Sequence, residues 1–367
     1  MSNSVVRLSL PDGKTYDIRI GSGVNNEIGK HVAELTGIRS AAVISDSNVA
    51  PLYSDSIASS LESAGFAVAQ FAFKAGEESK SLAQLEEIYR VLAEYRFARD
   101  SVIVAVGGGV TGDLAGFAAS TYMRGVPFVQ VPTTLLSMVD SSVGGKNGVN
   151  VAGIKNLVGN FAQPIYVSAD IDSLETLPLL EWRCGFAEMA KSAIIDGPDF
   201  SSWLFDAAHA LVAHDPEKLR EAIARTVEFK ARVVVEDERE SGTRKCLNYG
   251  HTLAHAIEAV SKNPRVPHGI AVAEGMRFAA KMAESTIGTM PGFVEAQDSL
   301  LSALGIEPMM RSFDADELLE RMMNDKKANG KTISFVLAKS PGNWEVVEMD
   351  PQVVRGHISS WMASKEA

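Results

Sequence analysis

The amino-acid sequence predicts an α/β protein with two domains, a parallel-sheet domain over residues 1-175 and a mostly α-helical domain over residues 176-367. The first half alternates short apolar runs with amphipathic stretches, and this alternation is typical of successive βαβ units. Beyond about residue 178 the strand patterns nearly disappear and apolar residues recur at helical spacing. We expect a cleft where the two domains meet, because ligands commonly bind between domains.

The first domain is predicted to open with a β-hairpin, since residues 5-10 and 16-20 flank the turn sequence Pro11, Asp12 and Gly13. Continuous apolar runs of the kind found in strands buried on both faces follow at 41-45, 102-106 and 126-131. A helix over 82-95 is indicated by apolar residues at a spacing of 3.6, namely Leu82, Leu85, Ile88, Tyr89 and Leu92. Strands alternating with helices in this order favour a Rossmann-like parallel sheet.

The second domain is predicted to be helical over most of its length. Asp215 is a suitable N-cap, and Pro216 in the first helical position opens a helix that reaches about residue 235. Further helical patterns cover 250-261, 268-286, 291-304 and 314-324. The patterns that look extended are 333-338 and 345-347.

Composition and charge narrow the functional classes. Hydrophobic residues make up 46% of the chain, which excludes a wholly disordered protein. Lys and Arg number 35 and Asp and Glu 46, so the net charge is 35 − 46 = −11, which disfavours nucleic-acid and anionic-membrane partners. The two cysteines form no CxxC motif, and no apolar run of about 18 residues appears. We therefore expect a reduced, cytoplasmic enzyme that binds any anionic ligand in a local pocket.

A glycine-rich turn after the 102-106 strand predicts a dinucleotide site. Gly107, Gly108 and Gly109 precede Thr111, Gly112 and Asp113, where a helix is expected to begin. Glycines admit a pyrophosphate close to the backbone, and a helix N-terminus offers free N–H groups to it. The pattern is GGGxxGD rather than GxGxxG, and a tight turn without a ligand is the alternative interpretation.

Three other features leave alternatives open. Asp46, at the end of the 41-45 strand, is placed to accept hydrogen bonds from a ribose, although an Asx turn or a helix cap is the better explanation of this residue taken alone. Residues 76-80 either cap the following helix or contact the cofactor. The stretch 142-148 is rich in glycine and contains Lys146, which suits a loop wrapped around an anion or a flexible surface loop.

Histidines in the second half indicate a metal site. His251 and His255 are four residues apart and share a helix face, and His268 opens the next predicted helix. Two histidines with one carboxylate form a catalytic metal site that keeps a position open for substrate. Glu188 can supply the carboxylate, but spacing does not select it among the 46 acidic residues, and ordinary packed histidines remain the alternative.

Several motifs together resemble the 3-dehydroquinate synthase family, within the sugar phosphate cyclase superfamily. They are GGGVTGDLAGFAASTYMRGVPFVQVPTTLLSMVDSSVGGKNGVN at 107-150, followed by GIKNLVG, GFAEMAKSAII, LNYGHTLAHAIE and HGIAVAEGM. The resemblance extends from Asp46 to residues 325-327. It implies a lyase of the shikimate pathway, which leads to chorismate and the aromatic amino acids.

The resemblance implies a reaction without net redox change. The substrate is 3-deoxy-D-arabino-heptulosonate 7-phosphate, whose C4 hydroxyl is oxidised by NAD with Zn²⁺ or Co²⁺ polarising the oxygens. Phosphate then leaves by β-elimination, NADH returns the hydride, and an intramolecular aldol step closes the ring to 3-dehydroquinate. The leaving phosphate helps to remove the proton, and a homodimer is the family expectation.

The resemblance also implies residue roles. The metal ligands are Glu188, His251 and His268. The cofactor contacts are Asp46, Asn48, Glu77, Lys80, Gly108, Gly109, Val110, Thr111, Gly112, Asp113, Thr133, Thr134, Lys155 and Thr176. The catalytic and substrate-binding residues are Arg124, Asp140, Lys146, Asn156, Lys191, Lys230, Arg244, Asn248, His255 and Lys326. Among these, Arg124, Asn156 and Lys326 suit the phosphate, Lys230 and Arg244 suit the carboxylate, and His255 suits proton relay.

Three positions depart from the family pattern: Asn147 replaces threonine, Ala254 replaces glycine, and Ile270 replaces glutamate beside His268. The alternatives to the synthase are another sugar phosphate cyclase acting on sedoheptulose 7-phosphate or glucose 6-phosphate, a metal-dependent polyol dehydrogenase of the iron-type alcohol dehydrogenase group, and a non-enzymatic NAD sensor.

Overall fold

The computed structural model describes residues 3-261, 264-323 and 331-366, which form two compact units. The first unit contains Met1–Pro178 and Leu219–Arg239, and the second contains Leu179–Lys218 and Glu240–Ala367. The α/β fold class predicted from the sequence is confirmed. The division into domains at 1-175 and 176-367 stays a prediction. The first compact unit also includes Leu219–Arg239, which lies within the predicted second domain.

Over its described residues, the first unit contains nine strands and the helices that connect them. Its strands are β1 (Ser4–Ser9), β2 (Thr15–Gly21), β3 (Ser40–Asp46), β4 (Ala67–Phe73), β5 (Val102–Gly107), β6 (Phe128–Pro132), β7 (Lys146–Val151), β8 (Ile154–Phe161) and β9 (Tyr166–Asp170). Its helices are α1 (Ile28–Thr36), α2 (Asp55–Ser63), α3 (Leu82–Glu94), α4 (Gly109–Thr121) and, apart from its first turn, α7 (Pro216–Glu236).

A seven-stranded sheet forms the centre of this unit, in the order β1-β2-β9-β6-β5-β3-β4. The strands from β2 to β4 in that order are parallel to one another, and β1 is antiparallel because it forms the predicted hairpin with β2. Helices cover both faces. Ile103 and Ala105 of β5 pack with α3 and α4, whereas Val104 and its alternate neighbours pack with α1 and α2. The strand is therefore buried on both faces, as its continuous apolar sequence predicts.

The order of the strands fixes where this sheet can bind a ligand. From β3 the chain moves outward to β4, returns to β5 on the other side of β3, and then continues outward to β6. The connections after β3 and β5 therefore leave in opposite directions. A sheet with such a switch binds ligands in the crevice at the carboxyl ends of those two strands. Asp46 and Gly107 end the two strands.

The hairpin of β7 and β8 corrects a sequence prediction. A glycine-rich loop was expected over 142-148, but Lys146 already begins β7, and β8 pairs with it antiparallel. The amide of Asn147 donates to the carbonyl oxygens of Gly145 and Ala162, both at 2.9 Å, which closes the base of the hairpin. A Cβ at Gly159 would lie 2.2 Å from the carbonyl oxygen of Asn147, so close backbone approach explains that glycine. Strands β4 and β9 were not anticipated.

The second unit is mostly helical, as predicted. Its helices are α5 (Leu179–Asp196), α6 (Pro198–Val212), α8 (His251–Val260), α9 (His268–Thr286), α10 (Phe293–Ala303), α11 (Ala315–Met323) and α12 (Pro351–Glu366), and its hairpin is β10 (Ile333–Ser340) with β11 (Asn343–Met349). At the start of α7 the predicted cap is present, since Asp215 Oδ1 accepts the N–H of Lys218 at 2.9 Å. Among the described helices, none is both long and apolar enough to span a bilayer.

Candidate functional site

The glycines around the start of α4 lie close to neighbouring side chains. A Cβ at Gly107 would lie 2.5 Å from Thr111 Oγ1, and one at Gly112 would lie 2.8 Å from Gln130 Oε1. Gly108 has a φ of −77°, so close approach rather than left-handed backbone accounts for glycine there. Helix α4 starts directly after this turn and directs its first N–H groups toward the carboxyl end of the sheet, where a pyrophosphate binds in folds of this type.

Asp46 forms an Asx turn and also contacts helix α4. Its Oδ1 accepts the backbone N–H groups of Asn48 at 2.9 Å and Val49 at 3.2 Å, so an Asx turn is present. Its Oδ2 accepts the hydroxyl of Thr111 at 3.2 Å. The carboxylate thereby joins the end of β3 to the first turn of α4.

The segment after β4 is linked to α4 by an ion pair. The ammonium of Lys80, which is buried, pairs with the carboxylate of Asp113. Burial raises the pKa of Asp113, and Lys80 opposes that rise. Glu77 accepts a hydrogen bond from Asn150 Nδ2 at 2.8 Å. Three predicted cofactor residues, Glu77, Lys80 and Asp113, are thus held by named partners in the first unit.

Two buried hydroxyl groups lie on the segments that follow β6. Thr133 donates its backbone N–H to the carbonyl oxygen of Gly107 at 3.0 Å. Among the described residues, Thr133 Oγ1 and Ser142 Oγ find no hydrogen-bond partner, although both are buried. Unpartnered buried hydroxyls are costly unless a ligand or water binds them. Ser142 was not among the predicted site residues, and its place in the motif after Asp140 was the available signal. Thr134 Oγ1 donates to Ser137 Oγ at 2.8 Å.

The remaining predicted residues of the first unit differ in exposure. Lys230 is buried and donates to both Asp140 Oδ1 at 2.5 Å and the Asp140 carbonyl oxygen at 2.6 Å. The hydroxyls of Tyr53 and Thr176 are 2.6 Å apart. The other predicted residues lie at the surface of this unit: Asn48, Arg124, Lys146, Lys155, Asn156 and Thr176.

In the second unit, three side chains from separate helices converge as the metal prediction requires. Glu188 lies in the middle of α5, while His251 and His268 are the first residues of α8 and α9. One ligand atom from each of the three lies within 4.8 Å of the others. His251 Nε2 is 3.6 Å and His268 Nε2 is 3.3 Å from Glu188 Oε1.

Glycines allow these three helices to approach closely. A Cβ at Gly269, next to His268, would lie 2.3 Å from the Cα of Cys184 on α5. A Cβ at Gly275 would lie 1.8 Å from the carbonyl oxygen of Gly250, the residue before His251. Backbone therefore packs on backbone at both helix pairs, and the side chains at the helix starts meet over Glu188 of α5.

The second ring nitrogen of each histidine is also engaged. His251 Nδ1 is 3.2 Å from the carbonyl oxygen of Tyr249, and His268 Nδ1 is 3.4 Å from Glu258 Oε2. Partners of this kind orient imidazoles toward a metal and fix the tautomer. Sequence reasoning missed Glu258. The signal was its position seven residues after His251, which places both on one face of α8.

The electrostatics of the cluster favour one ionised carboxylate among nitrogen donors. Burial alone would raise the pKa of Glu188, but Lys191 and the two histidines hold it well below its ordinary value. Burial, followed by the charge of Lys191, lowers the pKa of His251 well below normal. Burial also lowers the pKa of His268, but hydrogen bonds with Glu188 and Glu258 outweigh it and raise that pKa to about 10.

This donor set fits a Zn²⁺ or Co²⁺ ion. Glu188 is 1% exposed, with Lys191 Nζ 2.5 Å from its Oε2 and His268 Nε2 3.3 Å from its Oε1. Two imidazole nitrogens and one buried carboxylate are the ligands of a catalytic site with an open position. Lys191, a predicted substrate residue, lies one helical turn from Glu188.

Of the other predicted residues of this unit, His255 adjoins the cluster. The ring of His255 stands edge-on to His251, with centroids 5.5 Å apart, and Asn248 Nδ2 donates to Glu240 Oε1 at 2.5 Å. Arg244 is buried. Lys326 lies outside the described residues. Of the positions that depart from the family pattern, Ala254 is buried on α8 and Ile270 is half-buried on α9.

Comparisons with known proteins identify the family. The family model described as 3-dehydroquinate synthase N-terminal matches residues 70–184, and the one described as 3-dehydroquinate synthase C-terminal matches residues 185–328. The 3-dehydroquinate synthase of Citrifermentans bemidjiense is 43% identical over 342 residues, covering 93% of this chain and 94% of the relative. That of Rhodopirellula baltica is 44% identical over 349 residues, covering 93% of each chain.

Solved structures agree with this assignment. A crystal structure of 2-deoxy-scyllo-inosose synthase, complexed with carbaglucose-6-phosphate, NAD⁺ and Co²⁺, matches with a TM-score of 0.90 and 26% identity. The match covers 97% of this chain and 100% of that one. With two family models covering most of its length and relatives above 40% identity, this chain belongs to the 3-dehydroquinate synthase family.

Proposed function

We propose that this chain converts 3-deoxy-D-arabino-heptulosonate 7-phosphate to 3-dehydroquinate and phosphate, as a lyase of the shikimate pathway. The observation that carries the proposal is the convergence of Glu188, His251 and His268 in a chain of this family. Residues 1-175 are assigned to an NAD-binding domain that also contributes substrate contacts, and residues 176-367 to a metal and substrate domain.

NAD and a divalent ion are the cofactors in this proposal, in keeping with the NAD⁺ and Co²⁺ of the solved 2-deoxy-scyllo-inosose synthase. When bound, NAD supplies a reversible hydride acceptor, and Zn²⁺ or Co²⁺ supplies a Lewis acid. Glu188, His251 and His268 would hold the ion. The glycine turn and α4 would receive the pyrophosphate, and the polar side chains around it would contact the rest of the nucleotide: Asp46, Asn48, Glu77, Lys80, Asp113, Thr133, Thr134, Lys155 and Thr176.

In this assignment, different residues bind the phosphate and the carboxylate of the substrate. Arg124, Asn156 and Lys326 bind the phosphate, because planar and point cations complement a dianion. Lys230 and Arg244 bind the carboxylate. Both are buried, and the position of Lys230 is already fixed by its hydrogen bonds to Asp140.

Proton movement follows from the groups next to the metal ligands. His255, which packs edge-on against His251, is assigned to proton relay, with Asn248 and Lys191 orienting the substrate hydroxyls. Lys146 is assigned to the substrate as well. The leaving phosphate takes the C5 proton, so the chain needs no carboxylate dedicated to that step.

The decisive experiment follows phosphate and NADH together. Purified protein with NAD⁺, Zn²⁺ and the heptulosonate phosphate is expected to release inorganic phosphate with no build-up of absorbance at the NADH band. Glu188→Gln and His251→Ala are expected to abolish release and lower the bound zinc. Retained zinc in either variant would contradict the ligand assignment.

Three other outcomes correspond to the alternatives. Steady accumulation of NADH indicates a polyol dehydrogenase. Faster turnover of sedoheptulose 7-phosphate or glucose 6-phosphate in a competition assay indicates another cyclase. NAD binding without turnover, unaffected by Lys146→Ala and His268→Ala, indicates a sensor.

The proposal extends to assembly and location. A homodimer in the cytoplasm, without nucleic-acid or membrane partners, is in keeping with the family expectation, the net charge of −11 and the two buried free cysteines. Light scattering coupled to size exclusion tests the dimer, for which a monomeric mass would be contrary.

A further inference from the structure

A bulge in the β7–β8 hairpin places Asn150 opposite three residues. Val149 pairs with Val158 and Val151 pairs with Ile154, so Asn150 faces the stretch 155-157 on the other strand. Asn156, in the middle of this stretch, has a φ of 52°. Asparagine tolerates this left-handed conformation better than most residues with a side chain, and the bulge interrupts the regular ladder that would otherwise fix the backbone here.

The side-chain amide of Asn150 contacts both sides of this bulge. The backbone N–H of Asn156 donates to Asn150 Oδ1 at 2.9 Å, and Asn150 Nδ2 donates to Glu77 Oε1 at 2.8 Å. A backbone N–H can only donate and a carboxylate can only accept, so the two partners fix the orientation of the amide. One end of Asn150 therefore holds the backbone of Asn156, while the other end holds the carboxylate of Glu77.

The backbone of Asn150 adds a third connection. Its N–H donates to the carbonyl oxygen of Lys80 at 2.8 Å, and Ser81, which follows Lys80 in the chain, forms a β-bridge with Asn150. Lys80 in turn pairs with Asp113 of α4. A single half-buried residue thus joins the segment 77-80, the start of α4 and the bulge that carries Asn156.

We propose that Asn150 is a positioning residue that couples Glu77 and Lys80, at the nucleotide site, to Asn156, at the phosphate site. The inference rests on the proposed function, because that function assigns Glu77 and Lys80 to NAD and Asn156 to the substrate phosphate. NAD that orders Glu77 fixes the amide of Asn150, and the amide then holds Asn156 in the conformation that binds the phosphate. The coupling acts equally in the reverse direction.

The discriminating variant is Asn150→Asp, which separates the two ends of the amide. The aspartate keeps an acceptor for the N–H of Asn156 but turns a second carboxylate toward Glu77. We expect the NAD dissociation constant to rise about tenfold, the loss of one hydrogen bond to a charged group, with the KM for the sugar phosphate unchanged at saturating NAD. Asn150→Ala removes both the acceptor and the donor of the amide, and is expected to raise both the NAD dissociation constant and the KM for the sugar phosphate.

Two further variants serve as rescue and control. Glu77→Gln combined with Asn150→Asp restores a donor between these positions, so its NAD dissociation constant is expected to fall below that of Asn150→Asp alone. Asn160→Asp, on the exposed strand of the same hairpin, makes the same change of charge away from the network and is expected to bind NAD like the wild type.

Isothermal titration of the full chain with NAD measures the NAD dissociation constant without turnover. Wild-type NAD affinity in both Asn150→Asp and Asn150→Ala would overturn the proposal. A fall in unfolding temperature with the NAD dissociation constant and the KM for the sugar phosphate unchanged would also overturn it, because that result marks a purely structural residue. Absence of phosphate release by the wild type would count against the proposed function instead, so the two failures are distinguishable.

Discussion

Replacement of Gly275 by alanine tests whether close helix approach builds the metal site. The new Cβ would lie 1.8 Å from the carbonyl oxygen of Gly250, about 1.5 Å short of van der Waals contact. Overpacking of this kind costs about 1–3 kcal/mol, or more where backbone meets backbone, while alanine in a helix recovers about 1 kcal/mol. We expect the free energy of unfolding to fall by about 2 kcal/mol, measured by urea denaturation of the metal-free protein.

The same substitution is expected to weaken metal binding. Gly250 precedes His251, so separation of α8 from α9 moves a ligand whose distance from the metal must stay within about 0.2 Å. Zinc affinity, measured by competition with a chromogenic chelator, is expected to fall at least about tenfold, the size of effect that supporting residues have on metal sites. The change in affinity distinguishes a shifted ligand from a general loss of stability.

Gly356→Ala is the matched control. Gly356 also lies in a helix, α12, but a Cβ there meets nothing within 4 Å, so this variant is expected to be as stable as the wild type or up to about 1 kcal/mol more stable. If Gly275→Ala behaved like Gly356→Ala in both unfolding and zinc affinity, the backbone contact between α8 and α9 would not be what positions His251.

Four further predictions concern charge and the nucleotide turn. Glu188→Gln should destabilise the metal-free protein by about 3–5 kcal/mol in urea unfolding, because the buried ammonium of Lys191 loses the carboxylate it faces. The double variant Glu188→Gln with Lys191→Met should recover much of that loss. An unchanged free energy of unfolding in the single variant would contradict this prediction. Zinc binding near pH 8 should release about one proton, seen by calorimetry in buffers of different ionisation enthalpy, because the pKa of His268 near 10 keeps its imidazole protonated until the metal displaces the proton. Because the pKa of His268 is raised, its protonated form stabilises the metal-free protein fully below the ordinary histidine pKa of 6.5. This stabilisation is lost as the pH rises through about 10. A free energy of unfolding that rises between these pH values, for the wild type and His268→Gln alike, would refute the prediction. Gly108→Ala should weaken NAD binding about tenfold in titration with little change in unfolding, since its Cβ would lie 3.2 Å from Thr134 Cγ2 where the pyrophosphate approaches; equal affinity would mean that the cofactor lies elsewhere.

Local patterns were sufficient for most of the secondary structure. The apolar run before Gly107 becomes a strand buried on both faces, and Asp215 caps the helix that Pro216 opens, because these outcomes depend on neighbours within a few residues. The hairpin of β7 and β8 escaped prediction for the opposite reason. Its strands are held by the amide of Asn147 and by the contact of Gly148 with Gly159, which only the paired chain brings together.

The sequence by itself determined the fold class, the glycine turn after β5, and the two histidines at the starts of successive helices. These features depend on hydrophobic spacing, glycine content and helix-start residues, all of which lie within a few neighbouring positions. The tertiary structure brought Glu188, which spacing did not select among 46 acidic residues, beside the two histidines. It alone revealed Glu258 behind His268 and placed Asn150 between Glu77 and Asn156. These relations join residues far apart in the chain. They arise where glycines let helix backbones touch or where a bulge turns a strand, and no periodicity in one segment encodes the position of another.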